Sequence, residues 1–248
     1  MRGGGTMKSL AAALVVMGAL PALAGADCRE IGSVPVRITR AGVYCLTQDV
    51  VVPAGAEVGI RVEADGVVVD LGGHTLTGRG GAGVMAVGRH GVSVRNGAIR
   101  GFGRGVVLEG PGGLHLVEGV RIQARDAGIV LEGRGNTVRR NVLVGGGMVV
   151  GGRLARVLEN EVRLGGAAAA IRVIDGSGGV VEANQVTGRR GRASAGVLVE
   201  SGEDVLVLNN RLRQVSEGVV LEPAQGVALG NDFEAVEVTE TGDPDGSL

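Results

Sequence analysis

Asp70, His74 and Arg95 come nearest, by type and spacing, to an acid–base site in this chain. A carboxylate and an imidazole four residues apart, across a turn, can form a hydrogen-bonded couple that moves a proton. Arg95 follows one repeat later. The same residues can also brace a wide turn, and that is the reading favoured here. A second group is acidic: Glu63, Glu109, Glu132, Glu200 and Glu222 each stand near the end of a short apolar run. Stacked carboxylates could share a cation such as Ca²⁺. The series is interrupted at Val87, Gly151 and Ile174, so a solvated edge without any cofactor is the expectation. A third group is basic. Arg189, Arg190 and Arg192 share one turn, and Arg79, Arg104, Arg125, Arg163 and Arg213 fall in the same sector of other repeats. Guanidinium forks suit carboxylates and sulfates. Arg125, Arg189, Arg190 and Arg192 are therefore the candidate contacts for an acidic polysaccharide. With no Trp, one Tyr and two Phe, the chain lacks stacking platforms for neutral sugars.

The elements that must position these groups repeat. Gly59-Ile-Arg-Val-Glu, Gly83-Val-Met-Ala-Val, Gly105-Val-Val-Leu-Glu, Gly128-Ile-Val-Leu-Glu, Gly196-Val-Leu-Val-Glu and Gly218-Val-Val-Leu-Glu open alike, and Gly147 and Ala170 fill the gaps. The steps between openings are 24, 22, 23, 19, 23, 26 and 22 residues. Such a period signals a solenoid, and period-2 alternation within each copy signals strands. The expected fold is all-β: a right-handed parallel β-helix of about eight coils, three strands each, the hand following the crossover rule. Ile60, Val84, Val106, Ile129, Met148, Ile171, Val197 and Val219 should point inward. The 48 glycines read as corner residues with positive φ. Asn96, Asn141, Asn160, Asn184, Asn209 and Asn231 lie thirteen or fourteen residues after their openings and read as a turn ladder. His90 and His115 fall at corners, with no partner identifiable from spacing.

Residues 1–26 read as a signal peptide: Met7-Lys8, an apolar run from Leu10 to Leu20, and small residues permitting cleavage after Ala24 or Ala26. That run is too short for a membrane span. A secreted or periplasmic location follows. Cleavage removes Arg2 and Lys8, leaving 23 of 25 basic residues against 26 acidic, a net charge of −3, which exerts no general pull on nucleic acid. Cys28 and Cys45 should pair as a disulfide, worth about 3 kcal/mol on the chain-entropy model, and no metal site is expected of them. Residues 27–58 should cap the helix, 59–233 form the repeats, and 234–248 form an acidic, flexible tail with a last strand at Val236–Val238.

The runs Gly42-Val-Tyr-Cys-Leu46, Gly59 to Leu76 with its Asp-Leu-Gly-Gly-His-Thr-Leu ending, and Val94-Arg-Asn-Gly97 resemble the parallel β-helix repeat proteins of the pectin-lyase-like superfamily. That resemblance implies a groove along the outside of the first strands. It also raises the alternative of a uronate lyase, hydrolase or epimerase. The superfamily's Asn-Thr-Asp, Asp-Asp, Gly-His-Gly and Arg-x-Pro-x-x-Arg signatures do not occur here. The reading that follows is a non-catalytic surface or envelope scaffold. Alternation also places Met85, Val107, Val130, Val149, Leu198 and Val220 outward, an apolar strip suited to self-association or a protein partner.

Overall fold

The computed structural model describes residues 28–189, 194–221 and 226–241. All named elements within them are β-strands. The chain climbs in coils of three short strands, and each strand pairs in parallel with its equivalents one coil before and one coil after. Some strands bend through a corner and serve more than one sheet: Leu116–Leu131 contributes to all three. The expected inward column pairs in order from Ile60 to Val219. None of its eight residues is more than 1% exposed. The third sheet supplies a matching column, Leu76, Ile99, Ile122, Leu143, Val162, Val186 and Leu212, all buried. Each such side chain contributes about 1.5–3 kcal/mol relative to exposure. Stacking like on like is what makes the period visible in the sequence.

The opening glycines serve a different purpose from the expected one. Gly59, Gly83, Gly105, Gly128, Gly147 and Gly196 are not among the residues with positive φ. A Cβ on Gly83 would sit 2.5 Å from Ile99 Cγ2 and 2.8 Å from the Gly105 carbonyl oxygen. Space, not backbone handedness, keeps these positions bare.

Positive φ is concentrated at the corners. Between the second and third sheets it falls on Gly72, Asn96, Gly119, Arg140, Glu159, Ala183, Asn209 and Gly230. The residue after each is the ladder position. There Asn141, Asn160, Asn184, Asn210 and Asn231 run coil to coil: each of the first four donates both its N–H and its Nδ2 to the next Oδ1 at 2.9–3.0 Å. Asn96 and Asn209 are therefore not rungs. They occupy the left-handed corner that asparagine tolerates, at φ 56° and 54°. Asn210 takes the rung instead of Asn209. Gly97 stands where Asn96 was expected to act, because a side chain there would meet Leu71 Cβ at 2.4 Å.

Before the first repeat, Val36–Ile38, Gly42–Leu46 and Val50–Val51 pair with the coil that follows. Arg29–Ile31 adds an edge strand beside Gly42–Leu46. The disulfide Cys28–Cys45 joins these two, with Cα atoms 5.9 Å apart. Arg29 Nη1 donates to Tyr44 Oη at 2.8 Å, and Tyr44 Oη donates to the Arg40 carbonyl. At the other end the last described strand is Val238–Thr241 rather than Val236–Val238, paired with Glu217–Leu221. Residues 1–27 and 242–248 lie outside the described residues, and with them the signal peptide and the last seven residues of the acidic tail.

Candidate functional site

The outer face of the third sheet carries an arginine field. Arg100 stacks between Thr77 and Gln123, and Arg121 between Ala98 and Val142, so both have neutral neighbours along the sheet. At the turn beyond, Arg125 donates through Nη1 to the Gly101 carbonyl at 2.7 Å and through Nη2 to the Arg79 carbonyl at 3.2 Å. Those two bonds span two coils and fix the guanidinium plane. Arg79, Arg100 and Arg125, with Thr77, Gln123 and Val144, line an open cleft of about 480 Å³. Among the described residues, no carboxylate lies within 4 Å of Arg79, Arg100, Arg121 or Arg125. Guanidinium groups without a carboxylate partner, one of them held rigidly by backbone carbonyls, suit a carboxylate or sulfate from outside.

Arg189 is exposed in the corresponding turn of a later coil, whereas Arg190 and Arg192 lie outside the described residues. Arg104, Arg163 and Arg213 are engaged instead with Glu109, Glu161 and Glu234. Arg100 and Arg121 were not among the sequence candidates. Alternation around the inward Ile99 and Ile122 is the signal that places them outward.

The acid–base candidates separate. Asp70 and Arg95 meet, Arg95 Nε donating to Asp70 Oδ2 at 2.8 Å. The other Asp70 oxygen accepts from Gly72 N–H at 2.9 Å, and Asn96 Nδ2 approaches both. His74 does not join them: its Nδ1 faces Asp49 Oδ1 at 3.6 Å. Asp49 is itself occupied by the Thr75 N–H at 2.8 Å. Asp70 thus acts as the turn's brace, with its lone pairs turned to backbone and guanidinium.

Comparison with known proteins fixes the class of fold. A family model described as a right handed beta helix region matches residues 104–237, more than half of the chain. The chain belongs to the right-handed β-helix family. Among solved structures, the A-module of the Azotobacter vinelandii mannuronan C-5 epimerase AlgE4 aligns with 84% of this chain and 91% of that chain, at 11% identity and a TM-score of 0.29. No curated protein matches the chain.

On the first sheet of this β-helix, the acidic column is mostly committed. Arg37 pairs with Glu63 at 2.7 Å, Arg104 with Glu109 at 3.4 Å, and Arg172 with Glu200 at 2.6 and 2.8 Å. The bonds to Glu200 push the Arg172 pKa up from its ordinary value. Glu132 accepts from the Gly110 N–H, and Glu222 lies outside the described residues. Among the described residues no three His, Cys, Asp or Glu side chains are placed to hold a metal ion. Among the described residues there is no helix long and apolar enough to cross a membrane.

The apolar strip differs from expectation. Met85, Val107, Val130 and Val149 do stack, but Arg172 interrupts them before Leu198 and Val220. Val107 is fully buried and Val220 8% exposed. Val58 and Ala82 pack with Val107, and Arg104 reaches along its strand to Glu109. Val107 itself offers a partner no bare surface, while Met85, Val130 and Val149 around it stay partly exposed.

Proposed function

We propose that the protein is an exported, non-catalytic β-helix scaffold that binds an acidic polysaccharide at the arginine field of its third sheet. The observation that carries this reading is the set of four guanidinium groups, Arg79, Arg100, Arg121 and Arg125, with no carboxylate partner among the described residues, Arg100 and Arg121 being stacked between neutral neighbours. Each charge-assisted hydrogen bond to such a group is worth about 1.5–3 kcal/mol. Three engaged arginines are then enough for useful affinity after the losses of association. Export is supported by the leader-like residues 1–26 and by the disulfide, a bond that persists in oxidising compartments.

The test is a panel of polygalacturonate, alginate and dextran sulfate, with and without Ca²⁺, scored for binding and for product. Binding that weakens with salt, with no unsaturated ends, no new reducing ends and unchanged uronate composition, is the expected result. A time-dependent product would replace the scaffold reading with a lyase, hydrolase or epimerase. Failure to bind any member of the panel would end the polysaccharide reading.

A further inference from the structure

His115 occupies the corner between the first and second sheets, in the column that holds Val92 one coil earlier and Asn136 and Ala155 in later coils. Only 2% of it is exposed. Its ring Nδ1 accepts a hydrogen bond from the Val92 N–H at 3.2 Å, and its own N–H donates to Asn136 Oδ1 at 3.0 Å. Asn136 Nδ2 in turn donates to the Gly133 carbonyl at 2.8 Å. The imidazole nitrogen therefore does for Val92 what the Asn136 side-chain oxygen does for His115. An acceptor at Nδ1 leaves the ring proton on Nε2. That atom is buried, with no hydrogen-bond partner among the described residues.

We infer that His115 is an acid-sensitive stitch: while neutral it ties its own coil to that of Val92, and protonation at Nδ1 sets one N–H against another and opens the corner. The surroundings oppose the cation further. Burial, the largest influence, pushes the His115 pKa down and His90 adds to this, while the Val92 backbone contact and Asp65 act in the opposite sense without overcoming it. Asp65 already accepts from the His90 N–H at 3.0 Å. Arg89, beside His90, and Arg134, bridged to Gly113 on the following corner, bring positive rather than negative charge. Asn136 is neutral.

The sign follows by linkage. In an opened corner the ring titrates near its ordinary value of about 6.5; in the closed corner it titrates lower. Below about 6.5 the open form binds the extra proton, so closure loses up to about tenfold per pH unit until the closed-state value is reached. Above that pH nothing is lost.

The decisive experiment is NMR on the full chain. Long-range nitrogen correlation spectra should show His115 as the neutral Nε2–H tautomer at pH 7. Val92 amide protection, corrected for intrinsic exchange, should fall by up to about fivefold between pH 6.5 and 5.5. His115→Asn, which repeats the amide that Asn136 places in the same column, should abolish that fall. An Nδ1–H tautomer at pH 7 would overturn the inference. So would titration of His115 at the ordinary imidazole value of about 6.5 while Val92 stays protected, or an unchanged fall in His115→Asn. If that variant does not fold, the tautomer and the Val92 measurement on the unmodified chain decide.

Discussion

The third sheet holds two populations of arginine at equivalent outward positions. In early coils Arg100 and Arg121 stack between Thr, Gln, Ala and Val. In late coils Arg211 stacks against Asp232, Nε to Oδ2 at 2.8 Å, and Arg213 against Glu234 at 2.9 Å. The backbone and the inward columns are alike in both regions, so the difference lies only in what each guanidinium meets. The late arginines hold coil to coil. The early ones, with Arg79 and Arg125 beside them, meet no carboxylate among the described residues and leave their charge for something outside the chain. The corner beneath the sheet divides similarly: early coils have Gly73, Gly97 and Val120 at the ladder position, while later coils have the asparagine ladder.

The largest expected effect breaks the later region. Asn160→Ala removes the acceptor for the Asn141 N–H and Nδ2 and the donor to the Val138 carbonyl. Leaving buried polar groups unpaired costs about 1–3 kcal/mol each. Urea denaturation should show a loss of about 4 kcal/mol, whereas Asn96→Ala, at an exposed corner outside the ladder, should lose about 1 kcal/mol or less.

A smaller effect of opposite sign sharpens the same division. Ala183 holds φ 55° in the corner column where the earlier coils use Gly72 and Gly119. A left-handed residue with a Cβ is strained by about 1 kcal/mol. Ala183→Gly should therefore stabilise the fold by about 0.5 kcal/mol, net of the unfolded chain's added freedom. Differential scanning calorimetry checks it.

How far the sequence could be read depended on what repeats. Inward valines and isoleucines recur at every coil, so the sheets and their register were legible. The ladder was legible only to within one residue: the left-handed corner and the rung adjoin, and both favour asparagine, so spacing alone points to Asn209 where Asn210 is the rung. The opening glycines were visible, but their cause was not, since a close approach to Ile99 and the Gly105 carbonyl belongs to the packed coils. His74 found Asp49, a residue ahead of the first repeat, so no spacing within the repeats could reveal that contact. The arginine turns were legible as a sector. Which of them lack acids is a property of the neighbouring coils, and Arg100 emerged only when those neighbours were in place.

The smallest stability effect belongs to the arginines themselves. Arg211→Gln should lose about 0.5 kcal/mol, as exposed ion pairs do, and Arg100→Gln should lose nothing measurable by urea denaturation.

One binding measurement tests the division directly. Two double variants remove the same charge from the same face: Arg100→Gln with Arg125→Gln, and Arg211→Gln with Arg213→Gln. Each is titrated calorimetrically with polygalacturonate and with dextran sulfate, alongside the unmodified chain. The early pair should weaken binding at least about tenfold, because two charge-assisted contacts are lost. The late pair should stay within about twofold, since distant surface charge is largely screened. Equal losses, or a greater loss from the late pair, would contradict the assignment of the early arginines to a ligand.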